Sequence, residues 1–133
     1  MRAWMFLAPL LLSACAGGGQ PARLTEKQAG ELERALTGKV AGEPVSCVFR
    51  QSNASLTAVS DSVLLYRVNP RLVYRNDLIG SCTGLARGDT LVVKTWGSQY
   101  FRGDIARSAD LMTGMVTGGC ALGSFTPYRT PGR

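Results

Sequence analysis

The chain has 133 residues, which is enough for one domain, and carries a formal net charge of +6 from 15 Lys and Arg against 9 Asp and Glu. It is 45% hydrophobic and 18% charged, so it can form a core and is too poor in charge for a disordered tail. It contains no histidine. This composition excludes a Ser-His or Cys-His nucleophile, an imidazole general base and a His-ligated metal site, and we expect no cofactor.

Residues 1–14 are organised like a secretory signal peptide. Arg2 precedes about ten apolar residues, too few for a membrane-spanning helix, which needs about 20. Leu12-Ser13-Ala14-Cys15 follows directly and resembles the lipobox of bacterial lipoproteins. The resemblance implies cleavage before Cys15, a diacylglycerol thioether on its sulfur, and acylation of the new amino group by a fatty acid such as palmitate.

The alternative for this segment is an ordinary secretory signal cut after Ala14 or Ala16. Lipidation is favoured because the apolar run, the small residues and the cysteine follow one another in the required order. Two or three acyl chains would anchor the protein essentially permanently. Ala16, which is not acidic, favours the outer membrane in Gram-negative lipoproteins of this type. We therefore expect an outer-membrane protein facing the periplasm, with residues 15–22 as a flexible lipidated tether.

The remaining residues, 23–133, are predicted to form one folded domain. Thr25-Glu26-Lys27-Gln28 has the form of a capping box, and apolar residues at helical spacing predict a helix that ends near Gly38. We expect this helix to pack on a sheet rather than to bind a partner. After Pro44, short β-branched and aromatic runs alternate with turn residues. Strands are predicted at 45–50, 62–68, 71–75, 90–96, 98–102, 110–116 and 120–125.

Two of these runs suggest the arrangement of the sheet. Asn69-Pro70 between 62–68 and 71–75 predicts the clearest hairpin of the chain, and the continuous apolar run within 90–96 indicates a central strand. The predicted fold is mainly β, a small antiparallel sandwich or barrel-like domain with one N-terminal α-helix.

Three cysteines remain if Cys15 carries the lipid, namely Cys47, Cys82 and Cys120. An oxidising periplasm permits disulfides, and an odd number of cysteines leaves one thiol over. Three pairings are possible, of which Cys47 with Cys120 would join the first strand to the last. Three widely spaced cysteines without histidine make a poor zinc site, so no metal is expected.

Several short segments together resemble a family of small uncharacterised secreted or lipid-anchored proteins of proteobacteria, a domain of unknown function. The resemblance spans about residues 40–128 and is carried by the segments 42–47, 73–78, 81–85, 97–99 and 119–127. Members carry a further cysteine where this chain has Phe101. If that cysteine pairs with the one matching Cys82, the resemblance implies a retained Cys47–Cys120 disulfide and a free thiol at Cys82. The family supplies no activity or catalytic residue.

The basic residues provide the main indication of a partner. Arg67, Arg71 and Arg75 flank the predicted hairpin turn, and Arg outnumbers Lys by 12 to 3, which favours bidentate contacts to phosphate or carboxylate. Phospholipid headgroups, lipopolysaccharide phosphates and acidic cell-wall groups are the anionic partners of the expected compartment. The alternative is scattered, solvated charge. Nucleic acid is not expected, since the compartment lacks it and the aromatic residues are spaced like core and cross-strand pairs.

Three hypotheses about function follow. The first is a non-enzymatic, lipid-anchored binding or structural module for an anionic envelope component, and the second is a periplasmic inhibitor of a hydrolase. The third and least favoured is an enzyme that uses the orphan thiol or a carboxylate pair drawn from Asp77, Asp89, Asp104 and Asp110. Asp89 and Asp104 each end an Arg-Gly-Asp tripeptide, which predicts tight turns. The sequence leaves the oligomeric state open.

Overall fold

The structure is a computed structural model that describes residues 23–132. The expected signal peptide, Cys15 and the tether 15–22 lie outside the described residues. Within them the chain forms one α-helix, α1 (Glu26–Leu36), one short 3₁₀ turn (Leu85–Arg87) and ten strands. The strands are β1 (Val40–Ala41), β2 (Cys47–Phe49), β3 (Ser55–Ala58), β4 (Val63–Asn69), β5 (Leu72–Asp77), β6 (Thr90–Lys94), β7 (Gln99–Phe101), β8 (Ile105–Ala109), β9 (Val116–Ala121) and β10 (Phe125–Arg129).

Helix α1 begins at the predicted capping box. The Thr25 hydroxyl accepts the Gln28 N–H at 3.2 Å, and the Thr25 N–H donates to the Gln28 side chain at 3.0 Å, which satisfies two of the unpaired donors of the first turn. The helix ends at Leu36, two residues before Gly38, which has a positive φ of 75°. Its buried Leu32 packs in one cluster with residues of the sheet, so the predicted helix and its packing are confirmed.

The strands form three antiparallel sheets. The largest has the order β1-β10-β5-β4-β3, the second pairs β2 with β7, and the third has the order β6-β8-β9. Isolated bridges between Val45 and Phe125 and between Ile79 and Ala121 connect the sheets. The mainly β prediction with one N-terminal helix is confirmed, and the arrangement is consistent with a small β sandwich.

Strand β4 is the central element of the fold because both of its faces are covered. Val63 and Leu65 face α1, whereas Leu64 and Tyr66 belong to the core on the other side of the sheet. All four are buried, with exposures of 2% or less. The central strand predicted within 90–96 is therefore wrong: β6 lies at the edge of the three-stranded sheet, and its Val92 is 53% exposed.

Tyr66 ties the two layers together through its hydroxyl. The O–H donates to the Phe49 carbonyl and the oxygen accepts the Gln51 N–H, both at 2.9 Å. Its ring meets the Tyr100 ring edge to face at 5.7 Å between centroids. A buried phenol thus keeps its polar end paired while its ring fills the core between β4 and the β2–β7 pair.

The predicted hairpin is confirmed, and some other strand predictions are wrong. Asn69 pairs with Leu72, so β4 and β5 are joined by the two residues Pro70 and Arg71. Residues 110–115 form the connection between β8 and β9 rather than a strand, and β9 begins only at Val116. The predicted strand 120–125 is divided, since β9 ends at Ala121 and β10 begins at Phe125. Strands β3 and β8 were missed because their mixed polar composition lacks an apolar run.

The described part of the chain, residues 23–132, has no helix that is both long and apolar enough to cross a membrane.

Candidate functional site

The disulfide differs from the expected one. Cys82 and Cys120 are bonded, with their Cα atoms 5.2 Å apart, and Cys47 is the free cysteine of residues 23–132. The expectation of a Cys47–Cys120 bond with a free thiol at Cys82 is therefore wrong. The Cys82 N–H donates to the Asp61 carbonyl at 2.8 Å, and the Ile79 N–H donates to the Ala121 carbonyl at 2.9 Å, which places the segment that carries Cys82 beside β9. Cys47 lies instead on β2, whose partner strand is β7.

Phe101 is the residue directly opposite Cys47 across the β2–β7 pair. The further cysteine expected from the resemblance at this position would therefore face Cys47 and not Cys82. The next pair along these strands is hydrogen-bonded, with the Arg102 N–H donating to the Ser46 carbonyl at 2.7 Å. Cys47 and Phe101 consequently form a non-hydrogen-bonded pair, whose Cα separation of roughly 4.5 Å lies within the range of a disulfide.

This register predicts that Phe101→Cys creates a second disulfide, with Cys47, in protein exported to an oxidising compartment. Intact mass with alkylation before reduction should show no free thiol on the domain of the variant and one on that of the parent. Phe49→Cys is the matched control, since Phe49 shares the exposed face but lies two residues along the same strand as Cys47. Two alkylatable thiols in the Phe101→Cys domain would contradict the register.

A groove of about 820 Å³ lies between α1 and the helix-facing side of strands β3 to β5. Val59, Leu65 and Val73 form its apolar floor. We call it the α1 groove. Its polar and charged lining residues are Glu31, Arg34, Lys39, Asn53, Ser55, Thr57, Arg67 and Asn69. An apolar floor with a few polar groups on the walls is typical of a ligand-binding groove.

Local structure explains how the basic side chains reach the α1 groove. Arg67 continues the alternation of Val63 and Leu65 on β4, so it stands on the helix-facing side of the sheet, beyond the part that the helix covers. Arg34 lies in the last turn of α1. The Lys39 ammonium donates to the Ala35 carbonyl at 3.4 Å, which holds it at the C-terminal end of the helix.

Arg34 and Arg67 carry the free positive charge of the groove. Within residues 23–132 the structure has two salt bridges, Arg75 with Asp77 and Arg87 with Asp89, and neither involves a groove residue. The three basic residues exceed Glu31 by two charges. The groove therefore offers guanidinium donors whose partners are solvent or a ligand.

The three predicted arginines do not form one site. Arg67 lines the α1 groove, whereas Arg71 lies in the β4–β5 turn and lines a neighbouring depression together with Arg129. Arg75 donates two hydrogen bonds to Asp77 at 2.9 and 3.1 Å, so an internal carboxylate already neutralises it. The sequence-based search missed Arg34 and Lys39, which could have been found from their position on or just after the helix predicted to pack on the sheet.

The candidate carboxylates each have a partner close by. Asp77 pairs with Arg75, and Asp89 with Arg87. The Asp104 carboxylate accepts the Phe101 N–H at 2.9 Å, and the Asp110 carboxylate accepts the Met112 N–H at 2.8 Å. Both Arg-Gly-Asp tripeptides are turns with a positive φ at the glycine, as predicted. Among the described residues there is also no group of three or more Cys, Asp or Glu that could hold a metal ion.

Asp89 is the most enclosed of these carboxylates. The hydrogen bond from Arg87, followed by that from Thr117 at 2.7 Å, lowers the pKa of the Asp89 carboxyl below its ordinary value. Gly84 passes so close that a Cβ at this position, where φ is 102°, would overlap the Asp89 carboxylate. The fully buried Ser108 donates to the Thr83 carbonyl at 2.6 Å beside this cluster. These contacts fasten the loop that carries Cys82 to the β8–β9 hairpin, which is a structural role.

Comparison of the chain with protein-family models, with curated proteins and with solved structures gives no match.

Proposed function

We propose that this protein is a non-enzymatic, lipid-anchored protein of the cell envelope that binds a carboxylate- or phosphate-bearing envelope component in the α1 groove. The observation that carries the proposal is the pair of guanidinium groups of Arg34 and Arg67, which flank an apolar floor and have no carboxylate partner among residues 23–132. The anchor is Cys15, and the expected site is the periplasmic side of the outer membrane. The proposed relation to the small proteobacterial family adds no activity.

The chemistry of the groove suits an anion with some apolar surface. Guanidinium groups form bidentate hydrogen bonds to carboxylate and phosphate, and these charge-assisted bonds are stronger than neutral ones. The apolar floor of Val59, Leu65 and Val73 would contact the uncharged part of such a ligand. Glu31 on the wall disfavours a purely anionic polymer and favours a ligand that also carries an amino group.

The position of the groove favours a periplasmic component over the headgroups of the anchoring membrane. We call the end of the sheet that carries the β4–β5 turn the turn end. Pro70 of this turn lines the groove together with the later part of α1. Leu36 leads to Val40, which pairs with Arg129 close to the same turn. Helix α1 therefore starts towards the opposite end, which is the end nearer in the chain to the expected lipid on Cys15. Acidic cell-wall groups fit this placement best.

Charge reversal tests the proposal. Arg34→Glu combined with Arg67→Glu is expected to reduce binding of the purified mature protein to isolated cell-wall sacculi by about tenfold or more, since two charge-assisted contacts are lost. Co-sedimentation at increasing salt measures the effect, and binding of the parent protein should weaken as salt rises.

The matched control is Arg71→Glu combined with Arg129→Glu, which changes the net charge equally outside the α1 groove. Equal loss in both double variants would attribute the binding to overall charge and overturn the groove proposal. If the parent protein binds lipopolysaccharide micelles but not sacculi, the α1 groove stands as the binding site. Its ligand would then be a phosphate-bearing component and not the cell wall.

One observation favours the second function, inhibition of a periplasmic hydrolase. Phe49 and Phe101 are exposed on the outer face of the β2–β7 pair, and Trp96 in the preceding loop is 80% exposed. Exposed aromatic side chains are typical anchors of protein interfaces. The test is capture of a hydrolase by the protein. If Phe49→Ala abolishes the capture while Arg34→Glu combined with Arg67→Glu retains it, the result would support inhibition instead of anion binding.

A further inference from the structure

The connection between β8 and β9 and the first residue of β9 together expose four apolar side chains. Leu111, Met112, Met115 and Val116 are 76%, 94%, 66% and 59% exposed. We call residues 111–116 the apolar loop. The sequence contains no charged residue from Leu111 to Tyr128. Single exposed apolar residues are normal, but four that project from one loop mark a contact surface.

The apolar loop satisfies much of its own backbone. The Met112 N–H donates to the Asp110 carboxylate at 2.8 Å, the Gly114 N–H to the Asp110 carbonyl at 2.7 Å, and the Met115 N–H to the Thr113 hydroxyl at 3.3 Å. Unpaired peptide groups are the main cost of moving a loop into a less polar layer. These internal bonds lower that cost and leave the apolar side chains directed away from the loop.

Contacts at the base of the loop place it at the end of the sheet opposite the turn end. Asp61 lies there, in the connection between β3 and β4, and its carboxylate accepts the Ala86 N–H at 2.8 Å. The Cys82 N–H donates to the Asp61 carbonyl at 2.8 Å, and the neighbouring Thr83 carbonyl accepts the Ser108 hydroxyl at 2.6 Å. Ser108 lies on β8, two residues before Asp110, so the base of the apolar loop lies at the same end of the molecule as Asp61.

The chain outside the structure connects this end to Cys15. We call the end of the sheet opposite the turn end the Asp61 end. Helix α1 starts towards the Asp61 end, because its later part lies at the turn end. Seven residues lie between Cys15 and Arg23, so eight residue-to-residue steps join them. Eight steps span at most about 28 Å when fully extended, and about 16 Å on average in a Gly-rich coil. A lipid on Cys15 would thus hold the Asp61 end, and with it the apolar loop, near the bilayer surface.

We propose that the apolar loop inserts into the interfacial layer of the membrane that holds the lipid anchor, as a second point of membrane contact. The proposal rests on the lipidation of Cys15 in the proposed function. Leu111, Met112, Met115 and Val116 enter the boundary between headgroups and acyl chains, which accepts apolar side chains of this depth. The two contacts fix the orientation of the domain, so that the turn end of the sheet points away from the membrane.

The test uses a tryptophan introduced by Met112→Trp, in mature protein whose own tryptophan, Trp96, is replaced by Phe. The protein is reconstituted into vesicles of phosphatidylethanolamine and phosphatidylglycerol that contain brominated phosphatidylcholine. We expect the emission of the introduced tryptophan to shift to shorter wavelength and to lose most of its intensity. The matched control is the protein that retains both Trp96 and Met112. Thr90, at the start of β6, pairs with Ala109 beside the apolar loop, whereas Trp96 follows the other end of β6, beyond Lys94. Trp96 is 80% exposed but far from the loop, so its emission should be quenched little.

Intact mass of the same preparations separates the two proposals. Lipid on Cys15 without quenching at the Met112→Trp position overturns loop insertion and leaves the anchor standing. Quenching in protein without lipid overturns the anchor and supports the loop. Absence of both overturns both. A shift to shorter wavelength that needs no vesicles and grows with protein concentration would assign the loop to contact with a second protein molecule and overturn insertion.

Discussion

Replacing both Cys82 and Cys120 with alanine should lower the free energy of unfolding by about 4 kcal/mol. The disulfide closes a loop with a sequence separation of 38 residues, and the chain-entropy relation for a loop of that length gives this value. The bond fastens the segment between β5 and β6, which has little regular structure of its own, to β9. Loss of the bond should therefore loosen the core around Leu85 and Leu122 first.

Urea unfolding of the two proteins, followed by tryptophan fluorescence and circular dichroism, measures the difference. Cys47→Ala is the control, because Cys47 is free in the described part of the chain and half-buried, and its replacement should change stability by less than about 1 kcal/mol. If Cys47→Ala were as destabilising as the double variant, the Cys82–Cys120 pairing would be wrong.

Asn76→Ala should lower the free energy of unfolding by about 3 kcal/mol, because it leaves two buried backbone groups unpaired. The Asn76 amide donates to the Gly123 carbonyl at 2.9 Å, and its oxygen accepts the Gly123 N–H at 2.8 Å. Asn76 is fully buried. The position also requires glycine, since a Cβ on residue 123 would overlap the Asp77 carbonyl.

The same unfolding experiment checks this prediction. Asn53→Ala is the matched control, since it makes the same chemical change at an exposed position in the turn between β2 and β3. Its effect should stay within about 0.5 kcal/mol. An Asn76→Ala protein as stable as the Asn53→Ala protein would show that water replaces the side chain and that the crossover from β9 to β10 does not depend on it.

Elements that depend on neighbouring residues could be predicted from the sequence. The capping box of Thr25 and Gln28 needs only residues three apart, and the Asn69-Pro70 turn needs only the two strands that it joins. Both lie in the predicted places because local backbone preference and side-chain spacing determine them. The absence of histidine likewise excludes whole classes of active site without any structure.

The choice of central strand could not be made in this way. Residues 63–66 and 90–93 are both short runs rich in branched apolar residues, and either is compatible with burial on two faces. The position of α1 decides between them: it covers Val63 and Leu65 on β4, whereas the outer face of β6 leaves Val92 exposed. The packing of a helix on a sheet joins residues that are distant in the chain, so it cannot be predicted from local hydrophobicity.

The disulfide and the α1 groove are the clearest products of tertiary structure. Cys82 bonds to Cys120, and Arg34 lines the same groove as Arg67. Both depend on strands far apart in the chain that pair in a particular order and register. Short-range spacing and composition are enough to predict the N-terminal helix, the main hairpin and the exclusion of histidine chemistry. Only the packing of the helix and sheets decided which cysteines bond and which basic residues share a site, since each requires contacts between residues more than 30 positions apart.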